Sequence, residues 1–542
     1  MQPRDRDTVA LQRTTRLWIC TLLIVGVAVI AASYRDYGIT WDERVHITHG
    51  DLLLRYFESG LRDTTCNEFF NLRYYGPLAD LIPAALARLL PAFDLESRHL
   101  VLALSGLMTV LAVARYGLAL GSVAVLVLAP LALLMMPRFY GHAFNNPKDI
   151  PLACAFAWSM LAMARMLEGA AIRWSRVLIC GLAFGLCLAV RPGAFPILTT
   201  LLAAALAWKR VSRGPTATTG ERRRSVTTLL ATPVLCLGVA WVVMVAAWPW
   251  AHASVVSRPL EAMREAARFT STFPVLFEGR TYMSDRLPWY YLTKYLLITT
   301  PPATLLLAGL GLVAAAREQI GRPRSDRAFL MWIVELWLFV PLVVVTVLRV
   351  NVYDGLRHFL FVLPAIAVLA GLGGEAVAQR LTGRIPGRVV CVAVLIAIVA
   401  PALTMFRLHP YQMTYFNVFV GGVGEAHTAY ETDYWTASYK EAIEWVNHEA
   451  ESSKRPVHVL VAANRFNRLC ARYYLADDVR MRTLPDTVDL AELPPPYDFY
   501  VATTRYAQDK KFAGAPIAKT IGRDGAVYTV IKAGPTRQPR SR

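Results

Sequence analysis

The sequence is poor in charged residues: they make up only 18% of its 542 positions, whereas 55% are hydrophobic. A soluble protein carries nearer to a quarter charged residues, so a soluble fold is excluded for most of the chain. Apolar runs of about 20 residues, the length that crosses a bilayer, recur along the first three quarters. The composition therefore predicts a polytopic membrane protein.

Acidic residues are scarcer than basic ones, 39 against 57, which gives a net charge of +18. In a soluble protein this excess would suggest a nucleic-acid partner. Here the basic residues fill short segments beside apolar runs, and such loops mark the cytoplasmic side of a membrane protein. We therefore expect orientation by charge and no nucleic acid. The basic segments are residues 4–16, 209–224, 317–327 and 380–388.

The chain also lacks CxxC pairs, internal repeats, a glycine-rich nucleotide loop and a spacing of histidines and carboxylates typical of metal sites. We therefore expect no obligatory metal or cofactor. Most of the eight cysteines lie in apolar runs, where they act as small packing residues. Cys66 and Cys470 lie outside such runs, on the side expected to be oxidising, so the sequence allows a disulfide between them.

The apolar runs predict a mainly α-helical bundle of about 11 transmembrane helices with a cytoplasmic N-terminus. Residues 76–93 carry internal charges and prolines, so we interpret them as a helix lying in the interface, within a polar outer loop that begins at residue 34. A full span there is the alternative. The predicted spans are residues 17–33, 97–115, 118–136, 150–168, 177–190, 194–208, 226–248, 290–316, 328–348, 359–379 and 389–406.

The composition changes after residue 408, where long apolar runs stop. We predict a transmembrane domain over residues 1–408 and a small extracytoplasmic α/β domain over residues 409–542 that ends in a basic tail from residue 533. The pattern predicts one helix and three strands in this second domain. They cover residues 439–451, 457–462, 497–502 and 526–531.

Asp42 and Glu43 follow the first span directly. Charges so close to lipid are costly unless they face water or a protein-lined cavity. One interpretation is a general base at the membrane surface, and the other is a solvated loop start.

Further charged residues follow other predicted spans: Lys148 and Asp149 in a short polar loop over residues 137–150, Arg191 at a helix end, and Arg357. If residues 76–93 lie in the interface, all of these share the outer face with Asp42. A base with several fixed cations suits a reaction in which a hydroxyl attacks and a phosphate leaves. Without a nucleotide loop, a lipid is the expected carrier of that phosphate.

Residues 41–43, Trp-Asp-Glu, resemble the Asp-Glu motif of the GT-C glycosyltransferases of family 39, which include the protein O-mannosyltransferases and the lipid A aminoarabinose transferases. Residues 75–78 resemble the His-Pro-Pro-Leu stretch of that family, with Tyr and Gly replacing its first two residues. Residues 146–151 occupy the place of the second-loop Asp, and residues 357–364 resemble the helix start near the carrier phosphate. Residues 409–435 resemble a bacterial branch.

This resemblance implies a polyprenyl-phosphate-linked sugar donor, an acceptor hydroxyl of a glycan, lipid or protein on the outer face of the bacterial inner membrane, and inversion at the anomeric carbon. It implies that Asp42 is the general base and that Glu43 orients the acceptor or the base. The remaining site residues that it implies are Lys148, Arg357 and Arg191 for the donor phosphate, and Asp149, Asn146, His358 and Tyr75 for the substrates.

Other functions stay open at this point. A polytopic transporter, a lipid-linked polysaccharide polymerase or ligase, and a structural subunit whose outer domain binds a partner would share many of these features. Ionisable residues at helix ends, rather than at mid-membrane, argue against a transporter.

Overall fold

The computed structural model describes residues 3–537, apart from residues 91, 170, 213–218, 268–271, 454, 463–466 and 485–496. The last five residues of the predicted basic tail and the middle of the predicted basic loop 209–224 lie outside the described residues.

The described chain is mainly α-helical, as predicted. Its helices are α1 (Pro3–Ser33), α2 (Trp41–Glu58), α3 (Leu78–Leu89), α4 (Ser97–Ala119), α5 (Val123–Leu134), α6 (Pro137–Asn145), α7 (Asp149–Leu167), α8 (Trp174–Val190), α9 (Phe195–Ser212), α10 (Thr219–Ala247), α11 (Pro249–His252), α12 (Ser257–Ala267), α13 (Tyr291–Thr299), α14 (Pro302–Gly321), α15 (Asp326–Leu348), α16 (Leu363–Leu381), α17 (Gly387–Val399), α18 (Pro401–Leu408), α19 (Gly422–Ala426), α20 (Tyr439–Glu451) and α21 (Asn467–Tyr474).

Within the described residues, nine helical segments are long and apolar enough to cross a bilayer, and the pair α5 and α6, bent by 65°, makes a tenth. The apolar helix α8 is shorter, at 17 residues. Together these segments account for each span that the sequence predicts. Large apolar side chains stay exposed on them, such as Ile24 (69%) and Phe406 (81%), as expected of surfaces that contact lipid.

The predicted span over residues 290–316 begins too early. Helix α13 ends at Thr299 and the apolar helix α14 begins at Pro302. The consecutive prolines Pro301 and Pro302 lack backbone N–H donors, so one continuous helix cannot form there.

Two segments that the sequence analysis treats as polar loops contain helices. Within residues 34–75, α2 starts with a capping box in which Thr40 and Glu43 satisfy each other's backbone N–H groups. Within residues 137–150, α6 starts with Pro137 in its first turn and is buried almost throughout. The loop prediction failed because neither helix by itself is apolar enough to show a membrane-spanning pattern.

The segment over residues 76–93 forms α3, which has 12 residues. At 1.5 Å per residue it measures about 18 Å, well short of the roughly 30 Å core of a bilayer. A full span is therefore excluded for this helix. It packs against α2, so both belong to the connection between α1 and α4.

The C-terminal part contains a five-stranded sheet with the order β4-β3-β5-β7-β6, and a separate hairpin, β1 with β2, precedes α13. In the sheet β3 is parallel to β4 and β5, whereas β7 is antiparallel to β5 and β6. The strands are β1 (Pro274–Phe277), β2 (Arg280–Met283), β3 (Val457–Ala462), β4 (Val479–Leu484), β5 (Phe499–Thr503), β6 (Ile517–Arg523) and β7 (Ala526–Ala533).

The predicted helix over residues 439–451 and the three predicted strands are confirmed as α20, β3, β5 and β7. Strands β4 and β6, which lie at the two edges of the sheet, are not predicted from the sequence. Edge strands bury fewer side chains, so their hydrophobic pattern is weaker. The domain boundary after residue 408 stays a prediction.

The sheet region docks against the segment that links α1 to α2. The Tyr37 ring stacks on Phe144 at 4.0 Å, and its hydroxyl donates to Gln412 at 3.0 Å. Gly38 lies so close to the Ala437 carbonyl oxygen that an added Cβ would be 2.0 Å from it. The backbone N–H of Ile39 donates to the Tyr474 hydroxyl at 2.9 Å. The start of α2 is therefore fixed by both parts of the chain.

Cys66 and Cys470 are free, buried thiols, so the disulfide that the sequence allowed is absent. Cys66 packs with Leu53 and Tyr56 near α2. Cys470 lies on α21 in the main hydrophobic core. The two thiols belong to separate clusters, and each is shielded by its own packing.

The backbones of helices α14 and α16 approach each other closely at two glycines. An added Cβ on Gly311 would lie 1.9 Å from the Leu369 carbonyl oxygen, and one on Gly373 would lie 1.9 Å from that of Leu307. Small residues permit such close approach, and close packing is what holds helices together in lipid.

We expect Gly311→Ala to lower the free energy of unfolding by about 1–3 kcal/mol, because the added methyl group forces the two helices apart. Gly309→Ala is the matched control on the same helix, since an added Cβ there meets no atom within 4 Å. Thermal unfolding of both purified variants in detergent measures the difference. Equal unfolding midpoints would contradict the role assigned to this contact.

Candidate active site

Charged side chains from several helix ends meet at one end of the bundle. Asp42 is the second residue of α2, and Asp149 is the first of α7. Arg191 directly follows α8, and Arg357 begins the 3₁₀ turn that leads into α16. Helix ends bring these residues together although they are far apart in the sequence.

The ion pairs join the predicted base to the predicted cations. Lys148 Nζ lies 3.5 Å from Asp42 Oδ2, and Arg357 Nη1 lies 3.9 Å from the same oxygen. Arg357 Nη1 also lies 3.5 Å from Asp149 Oδ2, and Arg191 Nη1 lies 3.2 Å from Asp149 Oδ1. All five residues therefore form one continuous charge cluster.

The exposure of these side chains separates those that a ligand can reach from those that hold the cluster together. Asp42 is 24% exposed, Lys148 18% and Arg191 23%. Asp149 and Arg357 are only 1% and 4% exposed. A ligand that enters from outside therefore meets Asp42, Lys148 and Arg191 first, with Arg357 directly behind.

Two opposing effects set the pKa of Asp42. Partial burial raises the pKa of this carboxyl, but the charges of Lys148 and Arg357 more than offset that effect, so the pKa lies below its ordinary value. The carboxylate is therefore ionised at neutral pH and is able to accept a proton.

The Asn146 side chain shapes the loop that carries Lys148 and Asp149. Its Oδ1 accepts hydrogen bonds from the backbone N–H groups of Lys148 (3.2 Å) and Asp149 (2.9 Å), and its Nδ2 donates to Asp149 Oδ2 at 3.1 Å. Asparagine readily closes such turns. The Asn146 amide thus makes its hydrogen bonds within the loop. Its predicted contact with substrate stays a prediction.

Tyr75 and His358 lie beside the cluster, and their predicted contact with substrate stays a prediction. The Tyr75 ring is 5.1 Å from Lys148 Nζ, within the range of a cation–π interaction. The His358 ring packs edge-on against Tyr353 at 4.8 Å. Tyr353 in turn supports the guanidinium group of Arg357.

Glu43 does not join the cluster. Its Oε2 accepts hydrogen bonds from the backbone N–H (2.6 Å) and hydroxyl (3.0 Å) of Thr40, and its Oε1 is 2.8 Å from His99 Nε2. The carboxylate is 4% exposed. In this structure Glu43 holds the first turn of α2, and so positions its neighbour Asp42 through the backbone.

Sequence reasoning missed Asp354, a fully buried carboxylate that contacts two guanidinium groups. Its Oδ2 lies 3.0 Å from Arg357 Nε, and its Oδ1 lies 2.7 Å from Arg505 Nη2. The polar stretch that precedes Arg357 is a weak signal for Asp354. No sequence pattern pointed to Arg505, because it lies in the sheet region, far along the chain from the other site residues.

Aromatic rings enclose the Arg357 guanidinium. Its Cζ lies 5.0 Å from the centre of the Tyr353 ring and 4.9 Å from that of Trp435. These contacts fix the plane of the guanidinium group.

A second missed group lies one helical turn beyond Asp42. His46 and His49 on α2 both direct Nδ1 to Asp80 on α3, at 2.8 Å and 2.7 Å. Burial raises the pKa of Asp80, but the two histidines more than offset this effect and bring the pKa well below its ordinary value. The spacing of the histidines, three residues apart on one helix, is the signal that could have found them.

No group of three or more His, Cys, Asp or Glu side chains is arranged to hold a metal ion among the residues that the structure describes. The expectation that no metal is needed stays a prediction.

The comparisons with known proteins give structural matches but no sequence family. No protein-family model matches the chain, and no curated protein shows a significant sequence match. ArnT from Cupriavidus metallidurans in the apo state matches with a TM-score of 0.51 and 14% identity, over 97% of this chain and 100% of ArnT. ArnT bound to undecaprenyl phosphate gives a TM-score of 0.49 and 15% identity, over 96% and 99% of the two chains. The apo oligosaccharyltransferase from Archaeoglobus fulgidus matches with a TM-score of 0.50 and 10% identity, over 90% of this chain and 69% of the oligosaccharyltransferase.

The chain therefore has the GT-C fold, and it is an integral membrane protein. The predicted fold class is confirmed, whereas membership of family 39 stays a prediction.

We expect Asp80→Asn to lower the free energy of unfolding by about 1–3 kcal/mol at neutral pH, because buried hydrogen bonds to a charged group are lost. A carboxyl with a depressed pKa stabilises the fold above its ordinary pKa, about 4, and this stabilisation fades as the pH falls. The difference in the free energy of unfolding between Asp80→Asn and the unaltered chain should therefore become smaller in acid. Thermal unfolding of both proteins at several pH values measures it.

Glu58→Gln is the control for this prediction. Glu58 on α2 pairs with Arg88 on α3 at 3.3 Å, so it joins the same two helices, but both side chains are largely exposed. An exposed pair contributes less than about 1 kcal/mol. Equal destabilisation by Glu58→Gln and Asp80→Asn would contradict the special role of the buried carboxylate.

Proposed function

We propose that this protein is a membrane glycosyltransferase that moves a sugar from a polyprenyl-phosphate carrier to a hydroxyl group of an acceptor. One observation carries the proposal: the ionised, partly exposed carboxylate of Asp42 lies against Lys148 and Arg357 at the end of the bundle. A base beside several fixed cations is the arrangement that hydroxyl attack with phosphate departure needs.

In the proposed reaction Asp42 accepts the proton of the acceptor hydroxyl as its oxygen attacks the anomeric carbon. A new glycosidic bond forms while the bond from this carbon to the phosphate oxygen breaks, and the bonding electrons stay on that oxygen. The attack comes from the face opposite the phosphate, so the configuration inverts.

The phosphate gains a second negative charge as it leaves. Lys148 and Arg191 reach it from the exposed side of the cluster, and Arg357 stabilises the same charge from behind. Cations that are already in place act more strongly on the developing charge than on the ground state, which is what lowers the barrier.

We place the reaction on the extracytoplasmic face. Helix α9 follows Arg191 and ends in the predicted basic loop 209–224, and α16 follows Arg357 and ends near the predicted basic loop 380–388. The candidate site is therefore at the opposite end of the bundle from these basic loops. By the charge rule the basic loops are cytoplasmic, and the site and the sheet domain are not.

The fold supports glycosyl transfer over the rival functions. One structural neighbour is an oligosaccharyltransferase, and the shared fold covers 90% of this chain. The ionisable cluster lies at helix ends and not midway along the spans, which argues against a transport path. We infer that the carrier is a lipid phosphate, because the site opens at the end of apolar helices.

The test compares cell-envelope glycans and lipids by mass spectrometry in cells with the gene, without it, and with the Asp42→Asn variant. We expect one sugar modification to disappear without the gene and to fall by at least about 100-fold in the variant, because the general base is lost. Binding of undecaprenyl phosphate by the purified variant should be kept or strengthened, since a negative charge has left the site.

Asp51→Asn is the control, because Asp51 lies on the same helix and is 55% exposed. It should leave the modification unchanged. Full modification by Asp42→Asn would remove Asp42 from the mechanism, and uptake of a solute by the purified protein in vesicles would favour a transporter.

We expect Lys148→Met to shift the pH dependence of transfer, measured with the acceptor that mass spectrometry identifies. The charge of Lys148 lowers the pKa of Asp42, so its removal raises that pKa. Since Asp42 must be ionised to act as a base, the loss of kcat/KM in acid should begin about one pH unit higher. Lys294→Met is the control: it removes a lysine paired with Glu278 and should leave the pH dependence of kcat/KM unchanged. An unchanged pH dependence in Lys148→Met would be evidence against Asp42 as the base.

A further inference from the structure

We propose that Arg505, in the C-terminal sheet domain, is a positioning residue for Arg357 and acts on it through the carboxylate of Asp354. The sheet domain would then complete the donor-phosphate site and not only recruit an acceptor. This inference rests on the proposed function.

The contacts form a chain between the two parts of the protein. Arg505 follows β5 and opens the 3₁₀ segment Arg505–Lys510. Its Nη2 lies 2.7 Å from Asp354 Oδ1, and Asp354 Oδ2 lies 3.0 Å from Arg357 Nε. Asp354 is fully buried, and both guanidinium groups are at most 6% exposed, so water does not screen these charges.

Further contacts fix Arg505 itself. Its Nη1 donates to the Tyr434 carbonyl oxygen, and its Nε lies 3.8 Å from Glu431 Oε1. Its Cζ lies 4.9 Å from the centre of the Trp41 ring, and Trp41 directly precedes Asp42. Arg505 therefore contacts the residue next to the proposed base as well as the partner of the proposed phosphate ligand.

The charge balance explains why this position matters. Asp354 is shared between the guanidinium groups of Arg357 and Arg505. Arg357 also faces Asp149 and Asp42, and Arg505 also faces Glu431. With Arg505 in place, Asp354 divides its attraction between two cations and therefore holds Arg357 less strongly. Without Arg505, Arg357 is the one cation that remains within 4 Å of Asp354 among the described residues, and the buried carboxylate holds that guanidinium more strongly.

Arg523 provides the comparison, because it is a second arginine of the sheet domain with contacts inside that domain. Its Nη2 lies 2.9 Å from Glu441 Oε2, and its Nε donates to the His409 carbonyl oxygen at 3.0 Å. Both contacts stay within residues 409–542 and touch neither Asp354 nor Arg357. A variant of Arg523 therefore separates a general loss of packing in the sheet domain from loss of positioning.

The experiment measures undecaprenyl phosphate binding by the purified full chain and by the variants Arg505→Gln, Arg505→Lys, Asp354→Asn, Arg505→Gln with Asp354→Asn, and Arg523→Gln. We expect Arg505→Gln to weaken binding at least about 10-fold. Arg505→Lys should weaken it less, because a lysine keeps the positive charge but lacks the planar guanidinium group with its several N–H donors. In the Asp354→Asn background, Arg505→Gln should have no further effect, since the carboxylate through which it acts is gone. Arg523→Gln should bind as the unaltered chain does.

Three results would overturn the inference: equal binding by Arg505→Gln and the unaltered chain, a full additional loss when Arg505→Gln is combined with Asp354→Asn, or an equal loss in Arg523→Gln. In the third case a general loss of packing in the sheet domain would explain the effect. Thermal unfolding of each variant identifies misfolded protein, and if Arg505→Gln misfolds, Arg505→Lys and the double variant decide. If the unaltered chain binds no undecaprenyl phosphate, the proposed function fails first and this inference fails with it.

Discussion

The architecture of the site depends on the pairing of Arg357 with carboxylates. This buried guanidinium lies near Asp354, Asp149 and Asp42, at 3.0 Å, 3.5 Å and 3.9 Å. A buried charge costs several kcal/mol unless it is paired, so the fold must bring carboxylates to it. Each of these carboxylates comes from a different part of the chain, and the pairing therefore fixes the start of α2, the start of α7 and the turn before α16 relative to one another.

The same requirement links the bundle to the C-terminal sheet region. Asp354 binds a second guanidinium, that of Arg505, and aromatic rings from both parts cover the two cations. The segment before α2 is held between Phe144 and the Gln412 and Tyr474 side chains. The candidate base therefore lies at a helix start that is fixed jointly by the bundle and by the sheet region. The packing of the fold thus sets the geometry that the proposed reaction needs.

Much of the fold and part of the site could be predicted from the sequence. Spans follow from apolar runs because a helix in lipid must satisfy its own backbone hydrogen bonds, whatever its neighbours are. Asp42, Lys148, Arg191 and Arg357 could be found because a charge at the end of an apolar run is conspicuous. The helices α2 and α6 could not, since their burial comes from contacts with distant segments, and neither could Arg505, which lies 151 residues from its partner Asp354.

The sequence by itself determined where the chain crosses the membrane and which polar residues lie at the ends of the crossings, because hydrophobicity and length act locally. Only the tertiary structure decided which charges meet. Asp42 and Glu43 are adjacent, yet neighbours on a helix point about 100° apart, so one carboxylate joins the cations and the other binds Thr40 and His99. Which carboxylate takes which role depends on what packs against each face of α2, and that is set by segments far away in the sequence.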